Sequence, residues 1–188
     1  MILTGPEIEK EVGLDRIRIE PWIPRHVGPN SVDLRLHPEL RVYDLEGGTL
    51  DMKKGTATRD LLIPSEGLVL QPGTLYLGRT VEVVGTNHYV AILEGRSSVG
   101  RLGIKSHFTA GFGDVGFCGS WTLEIEVVYP VRVYPNVRIC QVSFTVPRGD
   151  IRLYSGRYQG QIEATSSRFH VQDARDEAPA SPTWPPSE

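Results

Sequence analysis

Cysteine is scarce. The chain of 188 residues holds two, Cys118 and Cys140, in no C-x-x-C spacing. A disulfide-stapled scaffold and a four-cysteine metal site are therefore excluded, and two reduced thiols of a cytoplasmic protein are expected. A basic excess is absent too: 20 Lys and Arg stand against 23 Asp and Glu, a net charge of -3. No broad positive field is present to hold a nucleic acid, so an anionic ligand must be met by arginines gathered locally. No apolar run approaches the length of a membrane span, and Met1-Ile2-Leu3-Thr4 leads into a capped helix, not a signal segment. A soluble, cytoplasmic chain with no membrane partner is the expectation.

Several catalytic signatures are missing as well. There is no P-loop and no G-x-S-x-G elbow. Neither H-x-E nor P-C-x-x-C occurs, so the zinc route to water activation used by nucleobase deaminases has no ligands, and no zinc is expected. The five histidines, His26, His37, His88, His107 and His170, are scattered and suit structural or surface positions.

Helical periodicity is confined to the start. Thr4 and Glu7 have capping-box spacing, Pro6 sits early, Ile8 and Val12 share a face, and Gly13 stops the helix. Pro21, Pro24 and Pro29 prevent another. From Ser31 the pattern has period two, with Val32, Leu34 and Leu36 alternating with Asp33 and Arg35. Strand-like runs follow at 61–63, 68–70, 75–84, 88–93, 122–128, 131–134 and 138–146, separated by Gly, Pro and Asn turns. Many short strands with one short helix predict an all-β sandwich or barrel. From Val171 the chain turns charged and proline-rich, so 171–188 is expected to be a flexible tail behind a domain spanning 1–170.

Four passages carry chemistry. Glu94-Gly95-Arg96-Ser97-Ser98-Val99-Gly100-Arg101-Leu102-Gly103 gathers two arginines, two hydroxyls and three glycines after Glu94. Such a passage suits phosphate, because guanidinium forks and backbone N–H groups bind its oxygens; the alternative is a polar turn with solvated arginines. Thr109 to Gly119 surrounds Asp114 with glycines, which gives either an acceptor for a sugar hydroxyl or an Asx turn. In Thr122-Leu123-Glu124-Ile125-Glu126-Val127 the apolar residues share one face and Thr122, Glu124 and Glu126 the other. That acidic face meets solvent or a cavity, where a carboxylate can move protons. Tyr154 to Gln161 combines rings, an arginine, amides and glycines, as a lid or an exposed loop would. Gln141 alternates with apolar neighbours on a strand.

Taken together and in order, these passages resemble the dCTP deaminase branch of the trimeric dUTPase superfamily. Arg96 to Gly103 is similar to its R-S-S-x-[AG]-R-x-G motif. Thr109 to Glu124 is similar, with no gap, to T-A-G-F-I-D-P-G-F-x-G-x-x-T-L-E. Tyr158 to Gln161 matches the K-Y-Q-G-Q lid, Asn30 to Leu36 the S-V-D-L-R-L strand, and Gln141 a G-Q-L-like strand. The resemblance implies a distorted jelly-roll barrel of the dUTPase-like, β-clip kind, a lid over about 154–170, and a homotrimer with active sites shared between subunits. It also implies a deoxypyrimidine nucleoside triphosphate as ligand and Mg²⁺ held through that triphosphate, not by protein side chains. Glu124 would be the general base. Ser97 and the Ala110 carbonyl would hold the attacking water, Arg101 would orient Glu124, and Asp114 would meet the 3′-hydroxyl. Arg96, Ser98, Gln141, Tyr154, Arg157 and Gln161 would bind or enclose the nucleotide, and Thr122 and Leu123 would frame the base through backbone groups. Gly113 and Val115 replace the usual Ile and Pro around Asp114, Arg157 replaces a lysine, and the segment from Tyr154 to Arg157 is shorter than usual.

The leading expectation is metal-independent hydrolytic deamination of dCTP to dUTP, which would supply dUTP and dUMP for dTTP synthesis. The alternatives are dUTP hydrolysis, a bifunctional route giving dUMP, and a non-catalytic nucleotide sensor. Glu124 favours deamination, and Phe112 with the Tyr158 to Gln161 lid favours the bifunctional route.

Overall fold

A computed structural model of the chain describes residues 1–45, 47–106 and 109–171. They form curled antiparallel sheets with one N-terminal helix, the all-β fold that the strand pattern predicts and the jelly-roll that the family resemblance implies. The elements in chain order are α1 (Gly5–Gly13), β1 (Ile17–Glu20), β2 (Val32–Arg35), β3 (Glu39–Tyr43), β4 (Thr58–Leu62), β5 (Leu68–Leu70), β6 (Tyr76–Thr86), β7 (Val90–Gly95), α2 (Ser97–Gly100), β8 (Ile104–Lys105), β9 (Phe112–Gly113), β10 (Cys118–Val127), β11 (Val131–Val133) and β12 (Arg138–Thr145).

One sheet runs β4-β3-β6-β10-β8 with β1 also on β6, a second runs β2-β12-β7-β9, and β5 pairs with β11. The core lies between the curled sheets. Leu34, Leu36, Leu40, Leu123, Ile125, Val142 and Phe144 are fully buried there. At about 25 cal/mol per Å², each such side chain contributes roughly 1.5–3 kcal/mol to burial, which is why alternation fixes the register so firmly.

The ladder between β10 and β6 is interrupted between Ser120 and Thr122, whose partners are Val83 and Arg79. The surplus on β6 is a bulge, and bulges re-aim side chains. Here it buries Thr80 and Glu82. The Thr80 hydroxyl donates to the Glu82 carbonyl at 2.7 Å and accepts from the Trp121 amide at 2.9 Å. Glu82 is neutralised by Arg35, whose Nε lies 2.6 Å away and whose backbone amide donates at 2.8 Å.

Thr4 occupies the N-cap of α1, but its side chain forms no capping bond, and Glu7 pairs with Lys10 at 2.9 Å instead. The capping box is thus replaced by a surface ion pair. Ile8 is buried as expected, and so is Glu11, whose carboxylate accepts the Tyr89 hydroxyl at 2.6 Å. That bond holds the Glu11 carboxyl below its ordinary pKa, and burial followed by the same bond pushes Tyr89 up to about 12. The tail expected from 171 falls, from residue 172 on, outside the described residues. Among the described residues no helix is long and apolar enough to cross a membrane.

Candidate functional site

A cavity of about 360 Å³ opens where β9, β10 and the C-terminal segment meet. Of the residues expected in the site, it gathers Ala110, Asp114, Thr122, Glu124, Tyr154 and Gln161. Phe112, Phe117, Trp121, Tyr158 and Thr165 line it as well.

β10 supplies the acid by simple alternation. Leu123, Ile125 and Val127 enter the core, so Thr122, Glu124 and Glu126 must face the other way. The two glutamates then part company. Glu126 lies opposite Lys105 on β8 and pairs with it at 3.0 Å. Glu124 enters the cavity, where its Oε2 accepts the Thr109 hydroxyl at 2.9 Å. Thr109 as this partner escapes a reading by motif, because fifteen residues of loop and strand separate the two groups.

Asp114 brings a second carboxylate to the same cavity. Its loop is fixed through backbone bonds: Gly116 donates to Thr86 at 2.7 Å and Phe117 to Asp114 at 3.1 Å. Gly113 takes the place of the expected Ile for a steric reason. A Cβ there would sit 2.4 Å from Trp121 Cη2, so the indole fills the room a side chain would use. Phe117 stands edge-on between Trp121 and Tyr154, at centroid distances of 5.5 and 5.9 Å. Trp121 was invisible to sequence reasoning, which fixed on the glycines around it. Among the described residues the Trp121 Nε1 donor and the Gln161 Oε1 acceptor are buried in this wall without partners.

The C-terminal segment closes the site. Tyr154 donates its amide to Val115 at 2.7 Å, Gly160 to Cys118 at 3.0 Å, and Ser120 donates to Gln161 at 2.8 Å. Gln159 reaches Gly116 at 2.7 Å, and the Thr165 amide donates to Thr122 Oγ1 at 3.2 Å. Thr122 therefore meets the C-terminal segment through its side chain, whereas Leu123 is wholly buried and has only backbone to offer a ligand. Arg157 lies outside the wall, exchanging bonds with Arg168: its Nη1 donates to the Arg168 carbonyl at 3.3 Å, and Arg168 Nη1 returns one at 2.6 Å.

The other expected residues sit elsewhere in the same chain. Ser97, Ser98 and Arg101 are exposed on and just after α2. β9 pairs with the opening of β7, Ile92 facing Phe112, while α2 follows its far end. At about 3.3 Å per residue, the four residues from Leu93 to Arg96 put α2 roughly 13 Å further on. Among the described residues Arg101 has no side-chain bond to Glu124, so Thr109 and not Arg101 orients that carboxylate within one chain. Arg96 is engaged within the chain. Its Nε holds Asp33 Oδ1 at 2.8 Å and its Nη1 the Arg138 carbonyl at 3.1 Å, while Arg138 takes Asp33 Oδ2 at 3.0 Å. Gln141 likewise accepts from Ser31 at 2.9 Å and donates to the Gly95 carbonyl at 3.0 Å, so it braces the turn into α2.

Among the described residues lining the cavity there is no arginine, lysine or histidine. Two carboxylates and a wall of aromatic rings suit an uncharged heterocycle and its sugar, and cannot by themselves hold a polyanion. Among the described residues no group of three or more His, Cys, Asp or Glu is arranged to hold a metal.

The chain is similar to known proteins along most of its length. The dCTP deaminase-like family profile matches residues 2–146. A protein of Cytophaga hutchinsonii named "dCTP deaminase, dUMP-forming" is 56% identical over 160 residues, covering 85% of this chain and 91% of that protein. One of Clostridium acetobutylicum with the same name is 55% identical, with the same coverage of both chains. Among solved structures, a 2′-deoxycytidine 5′-triphosphate deaminase of Agrobacterium tumefaciens matches with a TM-score of 0.60 at 26% identity over 78% of this chain. The present chain spans 48% of that protein's length.

Proposed function

The chain belongs to the dCTP deaminase-like family, and on that footing we propose that it deaminates dCTP and carries the product on to dUMP. The balance is dCTP and two waters in, and dUMP, ammonia and diphosphate out. The observation that carries the reading is the pair of carboxylates, Glu124 and Asp114, in one aromatic-walled cavity. The dUMP-forming relatives favour this over deamination that stops at dUTP.

Glu124 is placed to act on the base. With Oε2 held by Thr109, Oε1 is left to accept a proton from water as that water attacks C4. The same carboxyl then hands protons to the departing amine. The Ala110 carbonyl at the cavity wall would hold that water, with Ser97 as its second partner. Asp114 would take the 3′-hydroxyl or activate the second water against the α-phosphate. Tyr154 and Gln161 would enclose the nucleotide, and Thr122 and Leu123 would frame the base.

The phosphates need cations that this cavity does not supply. A second copy of the chain would bring them, presenting Ser97, Ser98 and Arg101 on α2, with Arg157 approaching from the lid. A homotrimer with shared sites is the arrangement that fits this division, with Arg96 and Gln141 keeping α2 in place. Mg²⁺ would be held through the triphosphate oxygens and not by protein side chains, and would supply neutralisation of phosphate charge.

The test is product analysis. Incubated with dCTP and Mg²⁺ and resolved by ion exchange, the protein should yield dUMP, diphosphate and ammonia. Accumulation of dUTP alone would confine it to deamination, and dUMP arising only from supplied dUTP would overturn the role of Glu124. Glu124→Gln should lower ammonia release about 10²–10⁴-fold, the usual range for removing a positioned base.

A further inference from the structure

We propose that Arg41 is a positioning residue that latches the C-terminal segment shut over the cavity; only the identity of the enclosed ligand rests on the reading above. Arg41 lies on β3 between the buried Leu40 and Val42, so its side chain leaves the core. Its guanidinium then meets three acceptors. Nε donates to Asp60 Oδ1 at 2.9 Å across the β3–β4 ladder. Nη1 donates to the Ala164 carbonyl at 2.8 Å, and Nη2 to Glu163 Oε2 at 3.1 Å.

Two of these three bonds fall on the segment, and Ala164 is buried beneath them. The next residue, Thr165, lines the cavity and donates its amide to Thr122, two positions before Glu124 on β10. Arg41 is thus linked to the acid-bearing strand through two residues of the closing segment. Tyr43, on the same face of β3, repeats the grip further along: its hydroxyl accepts the Ser167 amide at 3.1 Å. A planar fork already braced by Asp60 loses little freedom in forming the two remaining bonds, which a lysine could not make together.

Hydrogen exchange read by mass spectrometry tests the latch. In Arg41→Met, amides of residues 161–167 should exchange about tenfold faster, the loss expected for a charged donor on a buried carbonyl, while β6 and β10 keep wild-type rates. Asp60→Asn retains both segment bonds and should leave that exchange unchanged. A segment closed only part of the time weakens apparent affinity by the closed fraction, so KM for dCTP should rise, by at most about the same tenfold, with kcat held within about twofold. Arg41→Lys should recover part of the KM. Should Arg41→Met unfold the domain, Glu163→Gln reads the same exchange with one exposed partner removed. Wild-type exchange at 161–167 in Arg41→Met, or faster exchange without a rise in KM, would overturn the assignment. If the wild-type protein does not turn over dCTP, exchange still decides the latch and only the ligand's identity falls.

Discussion

One methyl group added at position 113 should cost far more than its size suggests. In Gly113→Ala the new Cβ would lie 2.4 Å from Trp121 Cη2, 2.7 Å from Cζ2 and 3.0 Å from the Ala91 carbonyl. None of these is the loose end of a flexible chain. The carbonyl belongs to the β7–β9 pairing, and the indole is held against Phe117. Overpacking of this kind costs about 1–3 kcal/mol, and the rigidity of both neighbours argues for the upper half of that range. For a domain of this size about 2–4 °C is lost per kcal/mol, so Tm should fall by roughly 4–12 °C at fixed protein concentration. Trp121→Leu alone removes the obstacle at the expense of a void. The double variant should therefore be less unstable than the two changes summed, with a coupling of about 1–2 kcal/mol. Urea unfolding followed by circular dichroism measures all four corners of the cycle without relying on the altered tryptophan. Additivity within about 0.5 kcal/mol would refute the reasoning, because the ring and the loop would then not compete for the same space.

Two further outcomes follow from the placement of groups. Subunits carrying Arg101→Ala mixed with subunits carrying Glu124→Gln, each inactive alone, should regain roughly a quarter of wild-type turnover after co-refolding, as random assortment into shared sites requires; no recovery would mean that each chain completes its own site. Burial lowers the pKa of His26, so the unfolded chain binds more protons than the folded one on the acid side of 6.5. Stability should accordingly be full above that pH and fall as pH drops towards the depressed folded value, and His26→Asn should flatten this part of the urea-midpoint profile.

Much of the frame was legible because alternation is a local signal. Thr122 to Val127 announced both a core face and a polar face, and the structure separates them as read. Phe112–Gly113 was not legible, since two residues carry no period and become a strand only by pairing with β7. Ile17–Glu20 and Glu39–Tyr43 were hidden by flanking prolines and charges, and they exist because β6 and β4 complete their ladders. Composition brought Arg96 to notice but could not show that Asp33, 63 residues away, holds it. Arg101 was expected to orient Glu124, and among the described residues the two share no side-chain bond. Trp121 and Thr109 were missed for the same reason: each matters through a partner that sequence spacing does not reveal.

The alternation along β10 also bears on how this protein can change over generations. Since every second side chain belongs to the core, one residue inserted between Thr122 and Leu123 would turn Glu124 inward and Leu123 and Ile125 outward, losing chemistry and folding together. Substitution is the route open to lineages along that strand, whereas length can drift in the loops that end it. Alignments of related chains should show gaps before Cys118 and after Val127, and an unbroken column of ten between them.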